Sequence, residues 1–205
     1  MSDKVIFIDR DGVINKDPIG DYIKRWEDFK FMPGAVSSLK KLSDNNFEIC
    51  IISNQAGIGD KKYPEKNLKE ITLNMINYLE KKKVKLNSCY FCLHGKKAGC
   101  ACRKPKTKLF DYASEKLTYS KSKTFFIGDK VTDVEAGNRY GLKTIMVLTG
   151  HGKLDRPKIT KKSKPNHIVP SIKEAVDIVL KNRRQTSDVS FQLNAKSQKS
   201  KAKIL

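Results

Sequence analysis

What constrains this chain most is a pairing that repeats along it. A short apolar run ends on a polar side chain, and a segment of helical period follows. Residues 5–9 read as a buried strand closing on Asp9. The run at 47–52 leads into Ser53 and Asn54, and the run at 124–127 leads through Gly128 to Asp129. Further strands are predicted at 86–91 and 144–148. Helices are predicted at 33–45, 64–82, 107–117, 132–140 and 172–180, the second carrying Leu68, Ile71, Met75 and Leu79 on one face. Strands alternating with helices form parallel sheets with both faces covered. The predicted fold is therefore α/β, a doubly wound parallel sheet, with function at the carboxyl ends of the strands.

The chain has 205 residues, about one domain's worth. No apolar run approaches the roughly 18 residues of a membrane span, and the N-terminus lacks the pattern of a secretory signal. A cytoplasmic protein is expected, and a monomer. The net charge is +20, and from residue 153 onward fourteen basic residues face four acidic ones. Residues 1–182 read as one domain. Residues 183–205 read as a basic, disordered tail, either solvated or available to an anionic partner such as nucleic acid.

Two groups of residues carry chemistry. The first begins with Asp9 and Asp11, which flank Arg10 after the first strand. Side chains two apart on extended backbone share a face, and paired carboxylates ionise most easily beside a cation. Oxygen-only ligands suit Mg²⁺. Ser53, Asn54, Lys104, Asp129 and Asp133 follow in order, with Arg103 beside Lys104. Asp133 also stands where a helix cap would. Lys130 faces either a phosphate or solvent. The second group is the cysteines. Four of five fall within residues 89–102. Cys92, His94, Cys100 and Cys102 form a soft tetrahedral donor set for Zn²⁺ with no open position, hence structural. Cys89 with Cys92 also has a CxxC spacing, which leaves open a four-cysteine site or a redox pair. Cys50 reads as core. His151 and His167 read as surface residues, with 150–153, after the last predicted strand, an exit loop or a border of the site.

These motifs resemble those of the haloacid dehalogenase-like phosphatases over about residues 4–150. Within that superfamily they are similar to the zinc-loop heptose bisphosphate and histidinol phosphatases. The matching patterns are Asp9 to Gly12, Ser53 to Gln55, Cys92 to Pro105 and Gly128 to Asp133. Leu93 departs from a frequent proline and Ser53 from a frequent threonine. The resemblance implies a Rossmann-like core with no large cap, only a small flap over 15–31. It selects Cys92, His94, Cys100 and Cys102 as the zinc set. It implies Asp9 as nucleophile and Asp11 as general acid/base. Mg²⁺ would lie on Asp9, Asp129 and the backbone carbonyl of Asp11. Ser53, Asn54 and Lys104 would hold the phosphoryl group, and Arg10 and Arg103 the rest of the substrate. Asp133 and Lys130 would support from behind. The expected substrate is a small phosphorylated metabolite, first a heptose bisphosphate and second histidinol phosphate. A nucleic-acid end phosphatase and a non-catalytic zinc-bound module are the remaining readings.

Overall fold

A computed structural model describes residues 4–183. The expected basic tail, 183–205, lies outside them except for Arg183, which is helical. Six strands form one sheet in the order β3-β2-β1-β4-β5-β6. They are β1 (Val5–Ile8), β2 (Glu48–Asn54), β3 (Leu86–Cys92), β4 (Phe125–Gly128), β5 (Lys143–Val147) and β6 (His167–Val169). Every pairing is parallel. The helices are α1 (Ala35–Asp44), α2 (Ala56–Gly59), α3 (Glu65–Lys81), α4 (Lys108–Ser114), α5 (Val131–Tyr140), α6 (Gly152–Asp155) and α7 (172–183). The doubly wound prediction holds.

The strand sequences explain the two-sided core. In β1 all four residues are buried, and alternate side chains serve opposite faces. Ile6 and Ile8 join Leu39 and Leu42 of α1, Ile71 and Met75 of α3, and Val176 of α7. Val5 and Phe7 join Phe110 of α4 and Ala136 of α5. The Phe7 ring meets Phe110 edge-on at 5.2 Å. Each such side chain contributes about 1.5–3 kcal/mol on burial. These apolar strands therefore fix the sheet's centre, and the polar residues at their ends are carried along.

Two elements differ from expectation. β6 is a strand absent from the prediction. It has three residues, and His167 and Ile168 are exposed, so it carries no apolar run to read. Pairing to β5 holds it in place. The predicted helix 107–117 stops at Ser114, whose hydroxyl donates to the Phe110 carbonyl. The segment between β1 and α1 is a small flap. It holds one 3₁₀ turn, Trp26–Asp28, and packs Phe31 on Tyr78 of α3 at 4.8 Å.

The chain order 3-2-1-4-5-6 reverses between β1 and β4, and a crevice opens at that point beyond the carboxyl ends. Asp9 follows β1 and Asp129 follows β4. The Asp9 amide donates to the Ile127 carbonyl at 2.9 Å, which ties the two strand ends together.

Candidate active site

Lys104 organises the centre of the crevice. Its Nζ lies 2.8 Å from Asp9 Oδ1 and 2.7 Å from Asp133 Oδ1, and donates to the Ile52 carbonyl at 2.8 Å. All three side chains are nearly inaccessible. Burial alone would lower the lysine's pKa, but the charges of Asp133 and Asp9 outweigh it and hold the ammonium protonated. Burial pushes Asp9 upward, against the pull of Lys104. Asn54 sets the height of this lysine. Its Oδ1 accepts the Lys104 amide at 3.0 Å, and its Nδ2 donates to the Lys104 carbonyl at 3.2 Å. Asn54 thus holds the Lys104 backbone, a role the sequence did not suggest.

Asp129 sits between two glycines. A Cβ on Gly12 would come within 2.1 Å of Asp129 Oδ2, and one on Gly150 within 2.2 Å. Both glycines have positive φ, so side chains there would be strained as well as crowded. Oδ2 accepts the His151 amide at 2.7 Å, while Oδ1 is buried and accepts no hydrogen bond. Oxygens of Asp9, Asp129 and Asp133 lie within 4.8 Å of one another. A buried oxygen with no partner, among carboxylates, fits a hard divalent cation held by Asp9 and Asp129. Asp133 is committed elsewhere, to Lys104 and, through Oδ2, to the Lys130 amide at 3.0 Å. That second bond makes it part of the cap of α5 as well, so both of its sequence readings are present.

Without such a cation Asp129 is costly. Burial, together with Asp133 and Asp9, drives its carboxyl well above the ordinary 3.8 despite Lys130. An acid whose folded pKa is raised stabilises the fold when protonated, and that stability is lost as pH rises from the ordinary value through the folded one. Asp129→Asn is therefore expected to raise the melting temperature of the metal-free protein at neutral pH. The gap to wild type should close as pH falls toward 4. Thermal melts across that range check this, and a gap independent of pH would refute it.

Asp11 is near enough to Asp9 for its charge to push Asp9 upward, but its own oxygens are turned to other partners. Extended backbone ends at Ile8, and Gly12 turns the chain at φ +86°. Asp11 instead takes Arg10 Nη2 at 2.9 Å on both oxygens, Asn15 Nδ2 at 2.9 Å and Gln55 Nε2 at 2.7 Å. Burial would raise its pKa, but Arg10 and the amides from Asn15 and Gln55 outweigh that and hold it below the usual value. Arg10, 1% exposed, places Nε and Nη2 on Asp11 and Nη2 on Gln55, while its Nη1 is buried with no hydrogen-bond partner. Ser53 is buried, with its Oγ accepting Gln55 Nε2 at 3.1 Å.

The cysteine cluster assembles beside this centre. Cys92 ends β3, and Cys102 Sγ lies 3.1 Å from Cys92 Sγ and 3.6 Å from Cys100 Sγ. His94 Nδ1 is 3.2 Å from Cys102 Sγ and 3.7 Å from Cys92 Sγ. A tetrahedral zinc with about 2.3 Å Zn–S bonds has sulfur edges of about 3.8 Å, so this set closes around one ion with little movement. Cys89 is not in it. Three residues from Cys92 along a strand, it faces the opposite side of the sheet and packs against the other core. Burial pushes its thiol up to about 12. Lys106 braces the loop by donating to the Gly99 and Cys100 carbonyls, each at 2.7 Å.

A cavity of about 770 Å³ opens over these groups, lined by Asp11, Asn54, Arg103, Lys104, Lys130 and His151 among others. Arg103 turns a buried guanidinium nitrogen toward no protein partner. Lys130 donates to Asp17 Oδ2 at 2.9 Å, and His151 Nε2 stands 3.2 Å from the same oxygen. Asp17 lies in no strand-end motif and was not legible as a site residue. His151, read as a surface residue in a stretch that is either an exit loop or a border of the site, lines the cavity. Among the described residues, no helix is long and apolar enough to cross a membrane.

The Hydrolase_like family model, described as HAD-hydrolase-like, matches residues 101–175. The D-glycero-alpha-D-manno-heptose-1,7-bisphosphate 7-phosphatase of Photorhabdus laumondii is 36% identical over 156 residues, 72% of this chain and 84% of that protein. The corresponding beta-anomer enzyme of Helicobacter pylori is 35% identical over 153 residues, again 72% and 84%. The histidine biosynthesis bifunctional protein HisB of Campylobacter jejuni is 32% identical over 144 residues, 70% of this chain but 41% of that protein. Among solved structures, the D,D-heptose 1,7-bisphosphate phosphatase of B. bronchiseptica, complexed with magnesium and phosphate, shares the fold at a TM-score of 0.81 and 22% identity, over 87% of this chain and 98% of that one. Together with the carboxylates and lysine at the switch point, these relationships place the chain: it belongs to the haloacid dehalogenase-like hydrolases and is a phosphatase.

Proposed function

We propose that this phosphatase is magnesium-dependent and removes the 7-phosphate of D-glycero-D-manno-heptose 1,7-bisphosphate through a phosphoryl group carried on Asp9. The observation that carries the reading is the buried Asp9–Lys104–Asp133 set beside Asp129, with Lys104 and Asp11 lining the cavity. Identity of 36% and 35% to heptose bisphosphate phosphatases supports the substrate.

Asp9 attacks phosphorus through one carboxylate oxygen, and the bond to the sugar oxygen breaks. Asp11, protonated once the substrate draws it away from Arg10, gives that proton to the departing oxygen. The second half reverses the roles. Asp11 takes a proton from water, the water oxygen bonds to phosphorus, and the Asp9–phosphorus bond breaks. Lys104 and the Ser53 hydroxyl face the charge on the equatorial oxygens. Asp9, Asp129 and the Asp11 carbonyl would hold Mg²⁺, which would supply further neutralisation of that charge. Arg103 offers its free guanidinium edge to the rest of an anionic substrate. Lys130, tied to Asp17, supports Asp129 from the side.

Zn²⁺ on Cys92, His94, Cys100 and Cys102 would fill all four positions and leave none for chemistry. Its role is to stiffen the loop that ends in Arg103 and Lys104. Cysteines outside any disulfide, and so available as metal ligands, fit a reducing, cytoplasmic setting. One zinc per chain is expected by elemental analysis. Cys102→Ser should lower the melting temperature by about 10 °C, at roughly 2–4 °C per kcal/mol, and cut turnover along with it. A zinc-free protein of unchanged stability would remove the structural role.

The decisive assay is phosphate release from the heptose bisphosphate and from histidinol phosphate, with and without Mg²⁺. Magnesium-dependent turnover of the heptose ester alone is expected. The 32% identity to the Campylobacter bifunctional protein makes histidinol phosphate the second reading, and turnover of that ester alone would select it.

A further inference from the structure

Gln55 has no part in the chemistry above, yet all four hydrogen-bonding positions of its carboxamide are used. It follows β2 directly, is 2% exposed, and is anchored by its own amide to the Cys92 carbonyl at 2.8 Å. Nε2 donates to Asp11 Oδ2 at 2.7 Å and to Ser53 Oγ at 3.1 Å. Oε1 accepts from Arg10 Nη2 at 3.1 Å and from the Tyr63 hydroxyl at 2.8 Å. The charges fix which way the amide points. Reversed, its oxygen would face the Asp11 carboxylate and its NH₂ would face the Arg10 guanidinium, both repulsive.

We propose that Gln55 is a positioning residue for the reaction, acting through Asp11 and Ser53; the proposal rests on the roles given to those two residues above. Two consequences follow from the bonding. Gln55 fixes one Asp11 oxygen, and so the line along which that carboxylate meets the leaving oxygen. By filling an acceptor position on Ser53 Oγ, it also turns the Ser53 hydroxyl hydrogen away from itself, free to donate to a phosphoryl oxygen. Tyr63 completes the carboxamide's bonding, and its ring lies 5.9 Å from that of Tyr22 on the flap. The packing of the flap is thereby linked to the orientation of the acid.

A residue that only stabilises the fold would slow all esters alike. A residue that aims the general acid slows esters whose leaving group needs a proton. The test is kcat and KM of the magnesium-loaded full chain on glycerol 2-phosphate, an alkyl ester, and p-nitrophenyl phosphate, an aryl ester with a good leaving group. Gln55→Met should lower kcat on the alkyl ester about 100-fold and on the aryl ester about 10-fold or less, with KM changing far less. Tyr63→Phe is the gentler variant and decides the matter if Gln55→Met fails to fold. It should lower the alkyl-to-aryl ratio by about threefold at an unchanged melting temperature. Equal losses on both esters, or none, would overturn the positioning role while leaving the phosphatase reading intact. Wild type no faster than Asp9→Asn on both esters would instead remove the phosphatase reading, and this proposal with it.

Discussion

Asp9→Asn is expected to lower turnover by about 10⁴–10⁶-fold, the range found when a covalent nucleophile is removed. It should do so without harming the fold. Asparagine keeps the shape, and the amide to Ile127 remains. Lys104 keeps two partners, Asp133 at 2.7 Å and the Ile52 carbonyl at 2.8 Å, so no buried charge is stranded. Burial already disfavours the Asp9 carboxylate, and a neutral side chain removes that cost. The melting temperature should therefore stay within a few degrees of wild type or rise. Phosphate release from the heptose bisphosphate, with a thermal melt in parallel, measures both. Retained turnover would end the role assigned to Asp9. Loss of activity together with a large loss of stability would leave that role undecided between chemistry and folding, and Asp9→Glu would then separate them.

Lys104→Met should damage both stability and turnover. Lys104 is 3% exposed, and its ammonium lies between two buried carboxylates. Its removal leaves Asp9, Asp129 and Asp133 crowded with no central cation. Breaking a buried charge pair costs about 3–5 kcal/mol, which for a chain of this size is on the order of 10 °C in melting temperature. Turnover should fall about 10²–10³-fold, the usual effect of deleting one group that faces transition-state charge. The loss has a signature in pH. Without Lys104, Asp9 is pushed further upward, so the variant's deficit is largest above that raised pKa and shrinks as acid protonates the carboxyls. Added Mg²⁺ should recover part of the stability. A deficit that does not vary with pH or metal would mean that Lys104 acts by packing alone, against Phe126 for example.

How much of this was legible follows from the range of the forces involved. The strands were readable because Val5 to Ile8, Ile49 to Ile52 and Phe125 to Ile127 are apolar on both faces, as a sheet covered on two sides requires. Asp9, Ser53 and Asp129 were readable because a polar group directly after such a strand must emerge at its carboxyl end. The Cys92, His94, Cys100 and Cys102 cluster was one of the sets that donor chemistry offered, and the family resemblance chose it. Its rival, Cys89, is excluded by strand alternation, which places it on the other face. β6 carries too few apolar residues to announce itself and exists through pairing to β5.

The sequence by itself determined the alternation of elements, the strand-end carboxylates and the soft-ligand loop, because each is a local matter of period, spacing and residue type. Tertiary structure alone decided that Arg10 turns inward onto Asp11, that Asn54 grips the Lys104 backbone, and that Gln55 joins Asp11 to Ser53. It also decided that Asp17 meets both Lys130 and His151. Those pairings join residues far apart in the chain, or neighbours past the end of a strand. Burial there selects whichever partner satisfies a charge or a hydrogen bond, and sequence spacing carries no record of that choice.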